Sequence, residues 1–296
     1  MSVTRALVTR NIRIFLRCKS SVFFSFLSII IIISLYALFL GDVQVQNIKN
    51  FIPNGIEIKE SDLSWLVNSW IMAGIISVNT VTTTLGTYGT IVEDIAFKTN
   101  KDFLSSPIKR SQVVLGYIIS SWILAIMFSI VGFLVFEFYI VIKGGHLLSL
   151  IDFIKVILII GLSVIIFSGV LFYIVSFIKS PSTYGTLSTI VGTLIGFLAG
   201  IYIPPAALPK YAQVIISLFP VSYSASLLRR VVMPDPLNTV FKNAGDLAIR
   251  EYSKDWGVVL YIGNYEINEF IMIIALLVIG FAFYLLSILR VMRNKI

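Results

Sequence analysis

The chain has 296 residues, of which 57% are hydrophobic and 13% are charged, and its mean hydropathy is +0.95. Soluble domains carry about 25% charged residues, so this composition excludes an ordinary soluble protein and indicates that lipid surrounds much of the surface. The net charge of +8 sits at the ends of apolar stretches, which is typical of membrane proteins and not of nucleic-acid binding. The single cysteine, Cys18, excludes an intramolecular disulfide and a cysteine-cluster metal site.

Six apolar stretches are each long enough for a helix that crosses the hydrocarbon core, which takes about 20 residues. They predict spans near residues 21–41, 64–90, 111–141, 152–178, 183–201 and 267–289. The first stretch is longer than the apolar part of a cleavable signal, about 7–15 residues, so it is predicted to be retained. The predicted fold is all-α: a six-span membrane domain at 21–290, preceded by a helix at 1–20 and followed by a tail at 291–296.

The first 20 residues predict an amphipathic helix. At 100° per residue, Arg10, Arg13 and Arg17 form one stripe, and Phe15 lies with other apolar residues roughly opposite. Such a helix lies along the membrane surface with its arginines near anionic headgroups. The alternative is a generic positive flank of the first span.

The distribution of lysine and arginine predicts the orientation of the chain. Both terminal segments and the connection between the second and third spans are rich in these residues, whereas residues 42–63 carry two lysines and four acids. By the positive-inside rule, the N-terminus, the C-terminus and that connection are expected to face the cytoplasm.

The second predicted span is unusually polar. Asn68, Asn79, Thr83 and Thr87 fall near one helical face. An asparagine in hydrocarbon needs a hydrogen-bonding partner, so this face is expected to meet protein or water. A translocation path and helix packing both remain open, because threonine can also bond to carbonyls of its own helix.

The segment at 91–110 is predicted to be a loop that docks onto another protein, because it places apolar side chains among acids and bases. The docking candidates are Glu93, Asp94, Ile95, Phe97, Lys98 and Phe103. The alternative is a solvated hairpin with its phenylalanines among the headgroups. Ser106 and Pro107 are expected to begin the third span as helix cap and first residue. Glu137, near the outer end of that span, is the clearest intramembrane acid and is either functional or interfacial.

The fifth predicted span contains Gly192, Gly196 and Gly200, a spacing that allows another helix to approach closely. That helix belongs either to a partner chain or to the same bundle, and the face could also line a path.

Two short apolar helices are predicted over residues 204–233, before an outer loop at 234–266. Pro204 and Pro205 are expected to end the fifth span, while Pro209 and Pro220 each begin a helix, the second preceded by Phe219. Helices this short are often re-entrant. Arg229 is predicted to close the second one on the outer side.

Several short sequences follow one another in a defined order around these spans. They are Arg17-Cys18-Lys19-Ser20, Leu104-Ser105-Ser106-Pro107 with Leu115-Gly116-Tyr117, Gly200-Ile201-Tyr202-Ile203-Pro204, Leu208-Pro209, Leu218-Phe219-Pro220 and Leu228-Arg229. With these segments the chain resembles the ABC transporter permeases of type 2 over essentially its whole length. No GxxxxGK[ST] phosphate-binding loop occurs in the chain, so energy has to come from elsewhere.

The resemblance implies a half-transporter that pairs with a second copy or a paralogue, above two separate ATPase subunits that bind ATP and Mg. It implies that residues 93–103 occupy the position of the coupling helix, although the glycine common in the family is missing from Glu93-Asp94-Ile95-Ala96. The N-terminal helix would also touch the ATPase. The outer gate would contain Pro204, Pro205, Pro209, Phe219 and Pro220.

The predicted function is therefore the permease subunit of an exporter in a bacterial cell membrane, with no catalytic or metal site of its own. The expected cargo is a hydrophobic or amphiphilic small molecule or peptide. A glycan or ion exporter of the same family, a gradient-driven secondary transporter and an assembly subunit without transport are alternatives. The near absence of charge within the spans disfavours the gradient-driven class.

Overall fold

The computed structural model describes residues 3–35, 41–49, 58–99, 108–263 and 265–293, and these are almost entirely helical. In chain order the elements are α1 (Val3–Arg17), α2 (Lys19–Leu35), α3 (Gly41–Lys49), α4 (Glu60–Ala96), α5 (Arg110–Ile142), α6 (Leu150–Val175), α7 (Pro181–Leu198), a 3-10 turn (Pro205–Ala207), α8 (Lys210–Leu218), α9 (Pro220–Val232), α10 (Pro234–Val240), α11 (Asp246–Asp255), β1 (Leu260–Ile262), β2 (Tyr265–Ile267) and α12 (Glu269–Arg293).

Four helices among the described residues, α4, α5, α6 and α12, are long and apolar enough to cross a membrane. The pair α8 and α9 passes the same test together but is bent by 86° at its break. The multi-pass helical fold is confirmed, with four or five candidate spans. The first predicted span corresponds to α2, which is described for 17 residues, and the fifth to α7, which is rich in serine and threonine.

Helix α4 lies at the centre of the bundle. It contacts α5, α6, α7 and α9, and most of its side chains are buried. Its 37 residues extend over about 55 Å, well beyond a hydrocarbon core of about 30 Å. The helix therefore continues beyond the predicted span of 64–90 at both ends, through charged turns that resemble loop sequence.

The predicted third span, 111–141, agrees with α5, but its predicted cap and first residue are wrong. Helix α5 begins at Arg110 with Lys109 as its N-cap, so Pro107 is not its first residue. Ser106, Pro107 and Phe103 lie outside the described residues. The start of a later helix, α7, agrees with cap chemistry. The Ser180 hydroxyl accepts the Thr183 N–H, and Pro181 follows in the first turn of the helix.

The prediction that Pro204 and Pro205 end the fifth span is also wrong. Helix α7 ends at Leu198, and the chain reverses at Gly200, whose φ of +63° is a conformation that favours glycine. The two predicted proline starts are confirmed, since Pro209 is the N-cap of α8 and Pro220 the first residue of α9.

Residues 205–263 and 265–267, named the cap here, lie at one end of the bundle. They contain α8 to α11 and an antiparallel hairpin in which Leu260 pairs with Ile267. Arg230 of α9 pairs with Glu266 of the hairpin at 3.4 Å and with Glu269 at the start of α12 at 3.6 Å. The segment predicted as an outer loop is thus largely folded.

Helix α1 has two faces, as predicted, but its buried face rests on protein. Leu7, Asn11 and Phe15 are buried. Asn11 meets Ser120, and the rings of Phe15 and Phe128 are 5.8 Å apart. Because these contacts advance together along both helices, α1 runs beside α5 over about 12 Å. The location of α1 at the membrane surface, with its arginines near anionic headgroups, stays a prediction.

Candidate functional sites at the two ends of helix α4

An ion pair joins α1 to the end of α4. The Arg10 guanidinium donates from Nη1 to Asp94 Oδ2 and from Nη2 to Asp94 Oδ1, both at 2.6 Å, and the Tyr117 hydroxyl donates to Oδ2 as well. The side chains are 27% and 8% exposed for Arg10 and Asp94. The hydrogen bonds that Arg10 donates to Asp94 raise the pKa of Arg10 above its ordinary value, although partial burial opposes this shift. We call Arg10, Asp94 and Tyr117 the clamp.

The contacts around the clamp bring α1 close to α5. Arg10 also donates to Asn11 Oδ1 at 3.0 Å, and Asn11 Nδ2 donates to Ser120 Oγ at 3.4 Å. A Cβ atom on Gly116 would lie 2.8 Å from Leu7 Cβ. Because that distance is shorter than carbon atoms tolerate, the missing side chain is what allows the two helices to pack here.

Beyond the clamp, the end of α4 projects a small surface that we call the tip: Glu93, Ile95, Phe97 and Lys98. Glu93 and Ile95 belong to the last helical turn and not to a loop as predicted, and Asp94 between them is buried. Phe97 is 79% exposed. Lys98 has a φ of +62°, unusual for a residue other than glycine.

The polar face of α4 is paired within the chain. Asn79 Nδ2 donates to Ser129 Oγ at 3.3 Å and its Oδ1 accepts from Thr83 at 3.1 Å, while Thr87 donates to Ser121 Oγ at 2.7 Å. Asn68 is buried on the same helix. The expectation that this face meets protein or water is confirmed for protein, since its partners belong to α5.

At the opposite end of α4 a second arginine is enclosed by backbone. Arg229 of α9 is 2% exposed. Its Nη2 donates to the carbonyls of Ala199 and Gly200 at 3.2 and 3.0 Å, and its Nη1 donates to Gly257 at 3.2 Å. Its Cζ lies 4.9 Å from the ring centroid of Trp70. We call this arrangement the carbonyl cage.

Aromatic rings extend the carbonyl cage into the cap. Trp70 Nε1 donates to the carbonyl of Trp256 at 2.7 Å, and the two indoles meet edge to face at 4.9 Å. Trp256 stacks on Tyr252 at 5.0 Å. Burial raises the pKa of Tyr252 well above its ordinary value, while the positive charge of Arg229 opposes the shift.

The sequence did not predict the burial of Arg229, only its place at the end of α9. A signal was present in the alternating serines of that helix. Ser222, Ser224 and Ser226 bond to the Leu198 carbonyl, the Ser163 hydroxyl and the Val258 carbonyl, at 2.5, 2.7 and 2.7 Å. Small hydroxylated residues at this density are typical of a helix surrounded by protein.

The three predicted glycines have different surroundings. A Cβ on Gly196 would lie 2.4 Å from the Tyr202 ring, whereas a Cβ on Gly192 would meet nothing within 4 Å. Gly200 lies beyond the helix end and beside Arg229. The chain itself therefore covers Gly196 and Gly200 and leaves Gly192 open.

The residues predicted at the outer gate lie at the edges of the cap. Pro204 precedes the 3-10 turn, and Pro205 packs on Gly257, where a Cβ would lie 2.9 Å from its Cγ. Phe219, between α8 and α9, is exposed. Glu137 is buried and accepts the Leu148 N–H at 2.8 Å, which ties the end of α5 to the start of α6.

No group of three or more His, Cys, Asp or Glu residues suited to a metal ion occurs in the described part of the chain. Of the predicted residues, the structure brings Arg10 and Asp94 together at one end and places Gly200 and Pro205 beside Arg229 at the other.

The helical fold with four or five candidate spans agrees with one class of protein, the membrane-spanning component of a transporter. A family model described as ABC-2 type transporter matches residues 2–233, which include α1 to α9, the clamp and Arg229 of the carbonyl cage. The chain belongs to this family and is the permease subunit of an ABC-type transporter, a kind of subunit that normally works with ABC ATPase subunits. No curated protein matches the chain.

Proposed function

We propose that this permease exports a hydrophobic or amphiphilic small molecule or peptide, paired with a second permease and driven by two ATPase subunits that bind ATP and Mg. In this proposal both termini and the tip of α4 face the cytoplasm of a bacterial cell, and the ATPase docks at the tip. The observation that carries the proposal is Phe97, 79% exposed at the end of the most buried helix.

Phe97 has the properties of a docking residue. Large exposed aromatic rings beside charged groups are typical anchors in protein interfaces. Glu93 and Lys98 supply the charges. The tip is held in place, since the clamp binds Asp94 in the same helical turn and the Phe97 N–H bonds to the Glu93 carbonyl at 2.9 Å. A partner that pushes on Phe97 therefore pushes on α4 itself.

The proposed path for cargo lies between two permeases. The polar groups of α4 already bond inside the chain, so they support a packing role more than a path within one protomer. Helix α7 differs from its neighbours in the side chains that it exposes on the outside of the bundle. Helices α5, α6 and α12 expose mainly large apolar side chains there. The open face of α7 includes Gly185, Thr186, Thr189, Gly192 and Thr193. Small and hydroxylated residues favour close contact between membrane helices.

The exposed surface beside that face supports an apolar or amphiphilic cargo. Leu194 and Phe197 of α7 are exposed, and α8 has an exposed apolar side that includes Tyr211, Ile215 and Leu218. A hydrophobic molecule can contact such a surface without removing water from charged side chains of the protein, which would cost free energy.

The test combines ATPase binding with export. The permease is produced with an ABC ATPase subunit, and inside-out membrane vesicles are supplied with ATP and a lipophilic fluorescent dye. Phe97→Asp is expected to abolish both co-purification of the ATPase and dye accumulation, because a charge replaces the apolar anchor. Tyr265→Asp is the matched control, since Tyr265 is 83% exposed in the cap. Undiminished association in Phe97→Asp, or accumulation driven by an ion gradient without ATP, would contradict the proposal.

A further inference from the structure

We propose that α1 and the tip of α4 move as one rigid element, and that Asp94 is the positioning residue that joins them. Movement of the ATPase at Phe97 then reaches α2 through α1, in addition to its direct path along α4. This inference rests on the proposed function. It changes the role of Asp94, which the sequence grouped with the docking residues.

The bond geometry makes the connection stiff. A guanidinium and a carboxylate held by two parallel hydrogen bonds are fixed in orientation as well as distance. Here both bonds measure 2.6 Å, and Tyr117 adds a donor from α5 to the same carboxylate. Asp94 therefore contacts both α1 and α5.

Arg10 lies near the middle of α1, and packing supports the helix on either side of it. Leu7 rests on Gly116, one turn before Arg10, and Phe15 packs against Phe128 beyond it. With both flanks held and the ion pair between them, α1 has little freedom to rotate or slide relative to the end of α4.

The junction between α1 and α2 has no slack. Only Cys18 separates the two helices. Its N–H bonds to the carbonyls of Ile14 and Phe15 at 3.2 and 3.1 Å, and its own carbonyl accepts the Val22 N–H at 3.1 Å. Cys18 thus bonds to α1 through its N–H and to α2 through its carbonyl, so a displacement of α1 reaches the start of α2 through a single residue.

Asp94 and its neighbour Glu93 have different surroundings. Glu93 is exposed at the tip, where a partner can reach it, whereas Asp94 points toward Arg10 and Tyr117. A change at Asp94 is therefore expected to interrupt transmission while it leaves Phe97 and Lys98 available for docking. Docking and transmission become separable by experiment.

The experiment measures two distances in the permease–ATPase complex in lipid nanodiscs, in a Cys18→Ser background. One spin-label pair reports the distance from α1 to the cap (Arg13→Cys with Tyr265→Cys). The other, called the tip pair, reports the distance to the cap from Ala96, which lies between the tip residues Ile95 and Phe97 (Ala96→Cys with Tyr265→Cys). Double electron–electron resonance is recorded without nucleotide and with ATP and vanadate. In the otherwise unsubstituted complex, both distances are expected to change together.

Asp94→Asn is expected to abolish the nucleotide-dependent change of the α1 pair and to preserve that of the tip pair, with the ATPase still bound. Asp94→Glu, which keeps the charge, should restore part of the lost change. Asp235→Asn makes the same chemical change at an exposed cap residue and should alter neither pair. If Asp94→Asn does not fold, Arg10→Gln tests the same bond from its other side.

Joint movement of both pairs in a folded Asp94→Asn complex would overturn the inference, as would an α1 pair that does not respond to nucleotide in the unsubstituted complex. Failure of the unsubstituted permease to bind the ATPase would instead contradict the proposed function. The two failures are distinguished by co-purification before the labelling experiment.

Discussion

The arginines of the clamp and of the carbonyl cage differ in what they bind. At one end of α4, Arg10 pairs with the carboxylate of Asp94, and at the other Arg229 binds backbone carbonyls and the face of Trp70. About 36 Å of helix separate Trp70 from Asp94. The clamp joins different helices through side-chain charge, whereas the carbonyl cage holds the end of α7 and a loop of the cap together.

This difference predicts how each end responds to change. Arg10 is partly exposed, so water screens its charge, whereas the Arg229 side chain is almost fully enclosed. A substitution cannot remove the backbone carbonyls around Arg229, because every residue has a backbone carbonyl. The clamp is therefore suited to transmit movement and the carbonyl cage to resist it.

The largest expected effect is the loss of the carbonyl cage. Arg229→Met removes the donors that serve three buried carbonyls, and each such group left unpaired costs about 1–3 kcal/mol. We expect a loss of several kcal/mol, measured as a fall in Tm of the purified protein in detergent. Arg229→Lys should recover little, because an ammonium lacks the planar fork.

The fall in Tm caused by Arg229→Met can be compared with the falls caused by the same substitution at two other arginines. Arg10→Met should lower Tm less, since its site is more exposed, and Arg230→Met least, because Arg230 pairs with exposed glutamates. An Arg10→Met variant that is less stable than Arg229→Met would reverse the comparison between the two ends.

A smaller effect concerns the glycines of α7, near the carbonyl cage. Gly196→Ala places a methyl group against Tyr202, and because the ring can shift, we expect a loss of about 1 kcal/mol in thermal stability. Gly192→Ala is the matched change, with open space around it. In an isolated protomer it should be neutral or slightly stabilising, since alanine favours helix.

The same pair tests whether α7 faces a second permease. If it does, Gly192→Ala should weaken the dimer measured by cross-linking or native mass spectrometry, while Gly196→Ala should not. A dimer that is insensitive to both changes would place the contact between permeases on another face.

The smallest expected effect lies at the junction beside the clamp. The Ser20 and Ser21 hydroxyls lie 3.2 and 3.1 Å from the Cys18 sulfur and lower the pKa of its thiol. Because the thiolate is the reactive form, Cys18 should react faster with maleimide near neutral pH than a variant with Ser20→Ala and Ser21→Ala. The measurement is the alkylation rate as a function of pH, and identical profiles would show that these bonds do not form.

The sequence predicted the features that depend on local pattern. Apolar length located α4, α5, α6 and α12, and proline chemistry located the starts of α8 and α9. The polar face of α4 was correctly expected to need partners, because an unpaired asparagine in hydrocarbon is costly. The family was also recognisable, since it depends on the order of short segments along the chain.

The two end sites could not be predicted in the same way. Arg10 and Asp94 are 84 positions apart, and nothing in either segment identifies the other as its partner. Asp94 and Glu93 look alike in sequence, and only the direction of the helical turn separates the buried acid from the exposed one. Arg229 is harder still, because its partners are backbone carbonyls.

The hydroxyl and amide groups of α4 also affect how the protein is made. Of the four long apolar helices in the described ranges, α4 is the least hydrophobic, and it is synthesised before α5 and α6, which provide the partners of the Asn79 amide nitrogen and the Tyr88 hydroxyl. A nascent α4 facing lipid alone would have these groups unsatisfied. Its retention in the bilayer therefore depends on the helices that follow it, so the most central helix of the fold becomes stable late in biogenesis.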